Sequence, residues 1–205
     1  MSRSFSGRRS AVAAMALFAG LCAAGDASAD PWSLPIASSP PPAPVAPPPG
    51  PAFFALKTLK DQVGVATFTA PDWHPGVVRH VILMRFKPGV GLLQRDEVLQ
   101  RYVRLVQDSR RPDGRRVIVS IDGGWQNSGE PTTQGYELGF VVTFASEGDR
   151  NFFIGRPVVT EPGFFDPAHM AFRAFALPLL ASVQAFDYAV AASETAKAPP
   201  ARRRH

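Results

Sequence analysis

The chain predicts an α+β fold, and three observations carry that expectation. Val78, His80, Ile82, Met84 and Phe86 alternate with Arg79, Val81, Leu83 and Arg85, the period of two that belongs to a strand. Val98, Leu99, Tyr102, Val103, Leu105 and Val106 recur at helical spacing. Asp166-Pro167 reads as an N-cap with proline at the first helical position. Two strands between these helices and one after them complete the order β-α-β-β-α-β. That is the ferredoxin-like arrangement, an antiparallel sheet backed by helices on one face.

In chain order, Lys87-Pro88-Gly89 stops the first strand. A helix is expected over Gln94 to Asp108, with Asp96 and Glu97 in a first turn that favours acids. Arg111-Pro112-Asp113-Gly114 is turn chemistry. Val117, Val119 and Ile121 alternate with Ile118, Ser120 and Asp122 as a second strand, and Gly123-Gly124 reads as the turn that ends it. Tyr136, Leu138, Phe140, Val142 and Phe144 form one apolar face of a third strand. Ser146 to Ile154 suits a short helix, and Pro157 and Pro162 break the segment after it. The last helix runs to about Leu180 with Pro178 distorting its final turn. Val183 to Val190 closes the chain as a strand.

One side of this sheet needs the helices. The other carries Val81, Leu83 and Val141, together with either Val183 and Ala185 or Gln184 and Phe186, which is too apolar for water. A sheet apolar on both faces needs a second cover, and a two-fold partner supplies it. The expectation is a homodimer whose two sheets close into a dimeric α+β barrel.

The chain's 205 residues and formal charge of +5 divide unevenly. Asp72 to Val190 holds 13 Lys+Arg and 13 Asp+Glu, so the basic excess lies in the termini. A neutral domain argues against nucleic acid as partner. Residues 1–29 read as a signal peptide: Arg3, Arg8 and Arg9 precede a short apolar stretch, and Ala27-Ser28-Ala29 suits cleavage. The expected location is periplasmic or secreted, with no stable membrane insertion after cleavage. The single cysteine, Cys22, falls in that leader, so the mature chain has no disulfide and no thiol nucleophile. Residues 30–52 are a proline-rich, disordered linker. Residues 53–76 are too apolar for a free linker and should pack on the domain at 77–190. Residues 191–205 form a disordered basic tail.

Four stretches, VRHVILMRFKPGV from Val78, SGEPTTQGYELGFVVTF from Ser128, DPAHMAF from Asp166 and FDY from Phe186, together resemble the stress-responsive A/B barrel (Dabb) family. The resemblance covers about Val78 to Tyr188. It implies the dimeric α+β barrel fold. It also implies a cleft whose polar groups include His80 and His169, the positions matching two pocket histidines of a plant polyketide cyclase in that family. The cyclase's partner tyrosine falls at or near Gly163, and a further pocket histidine at Leu138. Those two departures argue against the same cyclisation.

From the residues themselves, His169 is the third residue of the last helix, about 80° from the centre of the face shared by Phe172, Phe175 and Leu179. His80 lies on the apolar face of the first strand. Neutral imidazoles there can serve as general bases, or simply be hydrogen-bonded structural groups. His169 and His80 are therefore the candidate catalytic residues. Met84, Tyr136, Leu138, Phe140 and Phe172 are the candidate ligand-pocket residues. His74, His80 and His169 lack the close spacing of metal ligands, so neither metal nor cofactor is expected. Three functions remain open: a stress-related protein binding a small hydrophobic ligand, a cofactor-free cyclase, lyase or monooxygenase-like enzyme acting on a carbonyl-bearing molecule, and haem or haem-product handling.

Overall fold

The computed structural model describes residues 50–194. The expected leader, most of the proline-rich segment and most of the basic tail lie outside them. The elements are α1 (Pro51–Val63), α2 (Val65–Phe68), β1 (Pro75–Phe86), α3 (Leu92–Asp108), β2 (Ser120–Trp125), β3 (Leu138–Ser146), α4 (Glu147–Ile154), α5 (Pro167–Ala176) and β4 (Leu180–Ala189). The four strands pair antiparallel in the order β2-β3-β1-β4, the ferredoxin-like topology.

Several boundaries differ from the sequence reading, each for a physical reason. β2 begins at Ser120, three residues late, and continues through Gly123-Gly124 to Trp125. Both glycines are strand rather than turn, and the Phe140 ring crosses Gly123. A Cβ on Gly123 would lie 2.6 Å from that ring. Val117 and Ile118 are buried but precede the ladder; apolar alternation reports burial, not pairing. α3 starts at Leu92 with Gly91 as N-cap, so Asp96 and Glu97 fall beyond its first turn. Leu92 and Leu93 are solvent-exposed and hide that start from an amphipathic reading. Tyr136 sits in the turn before β3, its N–H donating to the Thr133 carbonyl. α5 stops at Ala176, and Pro178 occupies a single 3-10 turn, Leu177–Leu179, before β4 opens three residues early.

Register decides the faces. Opposite residues in an antiparallel ladder point the same way. His80 faces Val142 and Asp187, Ile82 faces Ala185, and Met84 faces Val183, so these residues share the helix-side face, with Val183 and Ala185 at its exposed edge. Val81 faces Phe186, Leu83 faces Gln184 and Arg79 faces Tyr188 on the open face. The alternative left by the sequence is settled for Gln184 and Phe186. Val81, Leu83 and Val141 are half-buried on that face, and Phe186 is 64% exposed.

Beneath α3, α4 and α5, Val98, Tyr102, Phe140, Phe144 and Phe153 form the core. Residues 53–76 contribute most of α1 and all of α2. Phe68 is fully buried, and Asn151 donates to its carbonyl at 2.8 Å. Lys60 of α1 meets Glu161, in the loop before α5, at 2.6 Å. No helix of the described residues is long and apolar enough to cross a membrane.

Candidate functional site

β1 carries His80 and β4 carries Asp187 directly opposite, on the helix-covered face. His80 Nδ1–H donates to Asp187 Oδ1 at 2.5 Å, and Arg150 Nη1 donates to Asp187 Oδ2 at 3.0 Å. Burial pushes the Asp187 carboxyl up, but His80 and Arg150 together outweigh it and hold the group below its usual range. An ionised Asp187 keeps a proton on His80 Nδ1, leaving Nε2 as the exchangeable position of the ring.

His169 arrives from α5. Asp166 caps that helix, accepting from Ala168 N–H at 2.9 Å, and Pro167 follows at the first helical position. His169 Nδ1–H donates to the Phe153 carbonyl at 2.7 Å, and its ring stacks on the Phe153 ring at 4.0 Å and 12°. A carbonyl only accepts, so the Nδ1 proton is fixed and Nε2 keeps the lone pair. Burial is the main cause that lowers this histidine to about 3. The Arg173 charge, and that of His80 when it is protonated, add to it, against the pull of the Phe153 carbonyl. His169 is neutral at pH 7. The two imidazoles share Phe153 as neighbour, His80 meeting it edge-on at 6.1 Å.

Both rings line one apolar cavity of about 210 Å³ between α5 and the sheet, with Met84, Tyr102, Phe172 and Val183 among its walls. Tyr102 comes from α3. Its ring packs on Phe140 at 4.1 Å and meets Phe172 edge-on at 4.9 Å. Its hydroxyl is buried with no hydrogen-bond partner among the described residues. Burial, and then the Asp187 charge, push this phenol well above its ordinary value, so it is a neutral donor. The arrangement thus offers a fixed neutral imidazole, a carboxylate-oriented imidazole and an unpartnered phenol in a largely apolar hollow.

Of the residues expected from sequence, His80, His169, Met84 and Phe172 converge on this cavity. Leu138 and Phe140 do not line it; both are buried in the core, because the third strand turns its large side chains under α3. Tyr136 borders a separate hollow with Leu83, Trp125 and Gln184. His74 stacks on Trp73 and bonds Glu147, away from the cavity. Gly163, where the family cyclase places its tyrosine, is exposed in the loop before α5 with φ +86°. Tyr102 and Asp187 escaped the sequence reading. Tyr102 was hidden as one apolar position of an amphipathic helix. For Asp187 a signal existed: a carboxylate within a strand whose partner carries a histidine. Among the described residues no three His, Cys, Asp or Glu side chains gather as a metal group.

Similar folds occur among solved structures. A protein of Arabidopsis thaliana is 26% identical, with TM-score 0.45, covering 58% of this chain and 99% of its own. The hydroxynitrile lyase of Passiflora edulis is 19% identical, with TM-score 0.46 and coverages of 59% and 99%. A dimeric protein with a ferredoxin-like fold from Bacteroides fragilis is 20% identical, with TM-score 0.40 and coverages of 57% and 99%. No curated protein matches the chain. The family model described as the stress responsive A/B barrel domain matches residues 78–190, more than half of the chain and all of the four-stranded unit but the first three residues of β1. The chain therefore belongs to the stress-responsive A/B barrel (Dabb) domain family.

Proposed function

We propose that this protein binds a small hydrophobic molecule between α5 and the sheet, and does so as an exported homodimer. The observation that carries the binding reading is the cavity itself. At about 210 Å³ it exceeds the roughly 150 Å³ that admits benzene in an apolar protein interior. Its walls are apolar apart from a few convergent polar groups, the usual form of a small-molecule site. The test is titration of methyl-labelled protein with 1-octanol, followed by NMR. Saturable shifts are expected at Ile82, Met84 and Leu180, with none at Leu83 or Val141 on the open face. Absence of saturable shifts at millimolar octanol sinks the reading.

The homodimer rests on the open face. Val81, Leu83, Val141, Phe186 and Tyr188 form an apolar surface that a second copy would cover, closing two sheets into a barrel. Export rests on residues 1–29 alone.

A second reading, acid–base catalysis, is favoured by the His80–Asp187 pair on the cavity wall. The roles differ from those expected from sequence. With its pKa near 3, His169 is too weak a base for efficient proton abstraction at pH 7. His80, oriented by Asp187, takes that role instead. A proton beside a substrate carbonyl would pass to His80 Nε2, and the carbon's electron pair would move to the carbonyl oxygen, bonded by Tyr102. Exchange of ketone α-protons for solvent deuterium, abolished in His80→Gln and retained in His169→Gln, is the expected result. Equal exchange in both variants and the parent removes this reading. Haem is the least favoured ligand, since a tetrapyrrole is larger than this cavity.

A further inference from the structure

Two arginines border the cavity. Arg156, exposed in the loop after α4, and Arg173, half-buried on α5, both line it. Arg173 Nη1 donates to the Arg156 carbonyl at 2.8 Å, which ties α5 to that loop. Arg156 lies over the Phe165 ring at 5.7 Å. The more deeply buried arginines of the domain are matched by carboxylates: Arg111 by Asp149 at 2.6 Å and Arg150 by Asp187 at 3.0 Å. Among the described residues, Arg156 and Arg173 have no such partner. Burial and the charge of Arg156 both lower the Arg173 pKa, and no carboxylate opposes them. Two like charges at the rim of an apolar hollow are mutually unfavourable unless an anion joins them. Guanidinium is the group best shaped to hold a carboxylate.

We propose that Arg156 and Arg173 hold the carboxylate of an amphipathic monocarboxylic acid whose apolar part fills the cavity toward His80 and His169. This rests on the cavity being a ligand site, and it adds the chemical class of the ligand. The volume, about 210 Å³, is of the order of the roughly 150 Å³ that admits benzene. A single ring or a short acyl chain matches it; a long fatty acid does not. The charged end stays at the wet rim, so binding does not bury an unpaired carboxylate.

The test compares octanoate with 1-octanol by calorimetric titration of the full chain at pH 7 and low salt. Octanoate should bind about ten-fold more tightly than octanol, and that preference should shrink as salt rises. The double variant Arg156→Gln/Arg173→Gln should bind both ligands equally. Arg173→Lys, which keeps the charge, should retain part of the preference. Octanol binding without any preference for octanoate in the parent protein overturns the assignment and leaves the cavity reading standing. Binding of neither ligand overturns both. Should the double variant lose octanol as well, Arg156→Gln alone decides, because its side chain is exposed and its loss spares the core. An undiminished preference there overturns the assignment.

Discussion

Replacing His169 with glutamine should flatten the acid side of the stability curve. A free imidazole titrates near 6.5, whereas His169 in the folded protein is lowered to about 3. Below pH 6.5 the unfolded chain takes up a proton here that the folded chain refuses. The contribution of the neutral ring is therefore complete above pH 6.5 and is lost as pH falls toward 3. Each pH unit in that window costs about 1.4 kcal/mol. From pH 6.5 to pH 4 the loss is about 3 kcal/mol, against a total of roughly 5–15 kcal/mol for an ordinary domain. The groups facing this ring are the Phe153 carbonyl, His80 and Arg173, and all three persist in the variant. The glutamine amide can still donate to the carbonyl but does not titrate. Urea unfolding at pH 7, 6, 5 and 4 measures the difference. The variant should be less stable at pH 7, through lost stacking on Phe153, and should gain on the parent by about 3 kcal/mol at pH 4. Parallel curves for the two proteins would refute the claim that His169 is held neutral by burial.

Tyr102→Phe removes a buried hydroxyl that has no partner among the described residues and should raise stability by about 1 kcal/mol, a few degrees in Tm. A lower Tm would show that the hydroxyl is bonded. Gly148→Ala should be among the most damaging small changes, costing at least about 3 kcal/mol. The new Cβ would lie 1.7 Å from the Ala70 carbonyl oxygen, which is backbone and cannot swing aside; chemical denaturation checks it. Phe186→Asp places a charge on the open sheet face and should convert a dimer to a monomer in sedimentation velocity at micromolar concentration. A parent protein that is itself monomeric there counts against the barrel. Mass measurement of the exported protein should find Asp30 at its N-terminus.

The order of elements, the α5 cap and the central strand were legible in the sequence because they depend on local chemistry. His80 to Phe86 alternates without interruption, and Asp166-Pro167 combines a side-chain acceptor with a fixed φ; both signals act within a few residues. Met84, Phe172 and the two histidines are legible as interior positions for the same reason, since strand parity and helix angle place each on the interior side. The extent of β2 is not legible locally, because the reason for Gly123 lies outside the segment: the ring of Phe140 on a neighbouring strand needs the space. Face and motif alone place Leu138, Phe140 and Tyr136 at the cavity, which none of them lines. Which part of a shared interior face is filled and which is hollow depends on how α3 and α5 pack over it.

Local sequence thus determined where this chain alternates, coils and caps, and hence the four-stranded sheet with helices on one side. Only the tertiary structure brought Asp187 against His80 from 107 positions away. It also set Tyr102 across from α5 and left a hollow among them bordered by two arginines. Those are matters of strand register and helix packing, where distant side chains compete for one volume, and no short window of residues encodes the outcome.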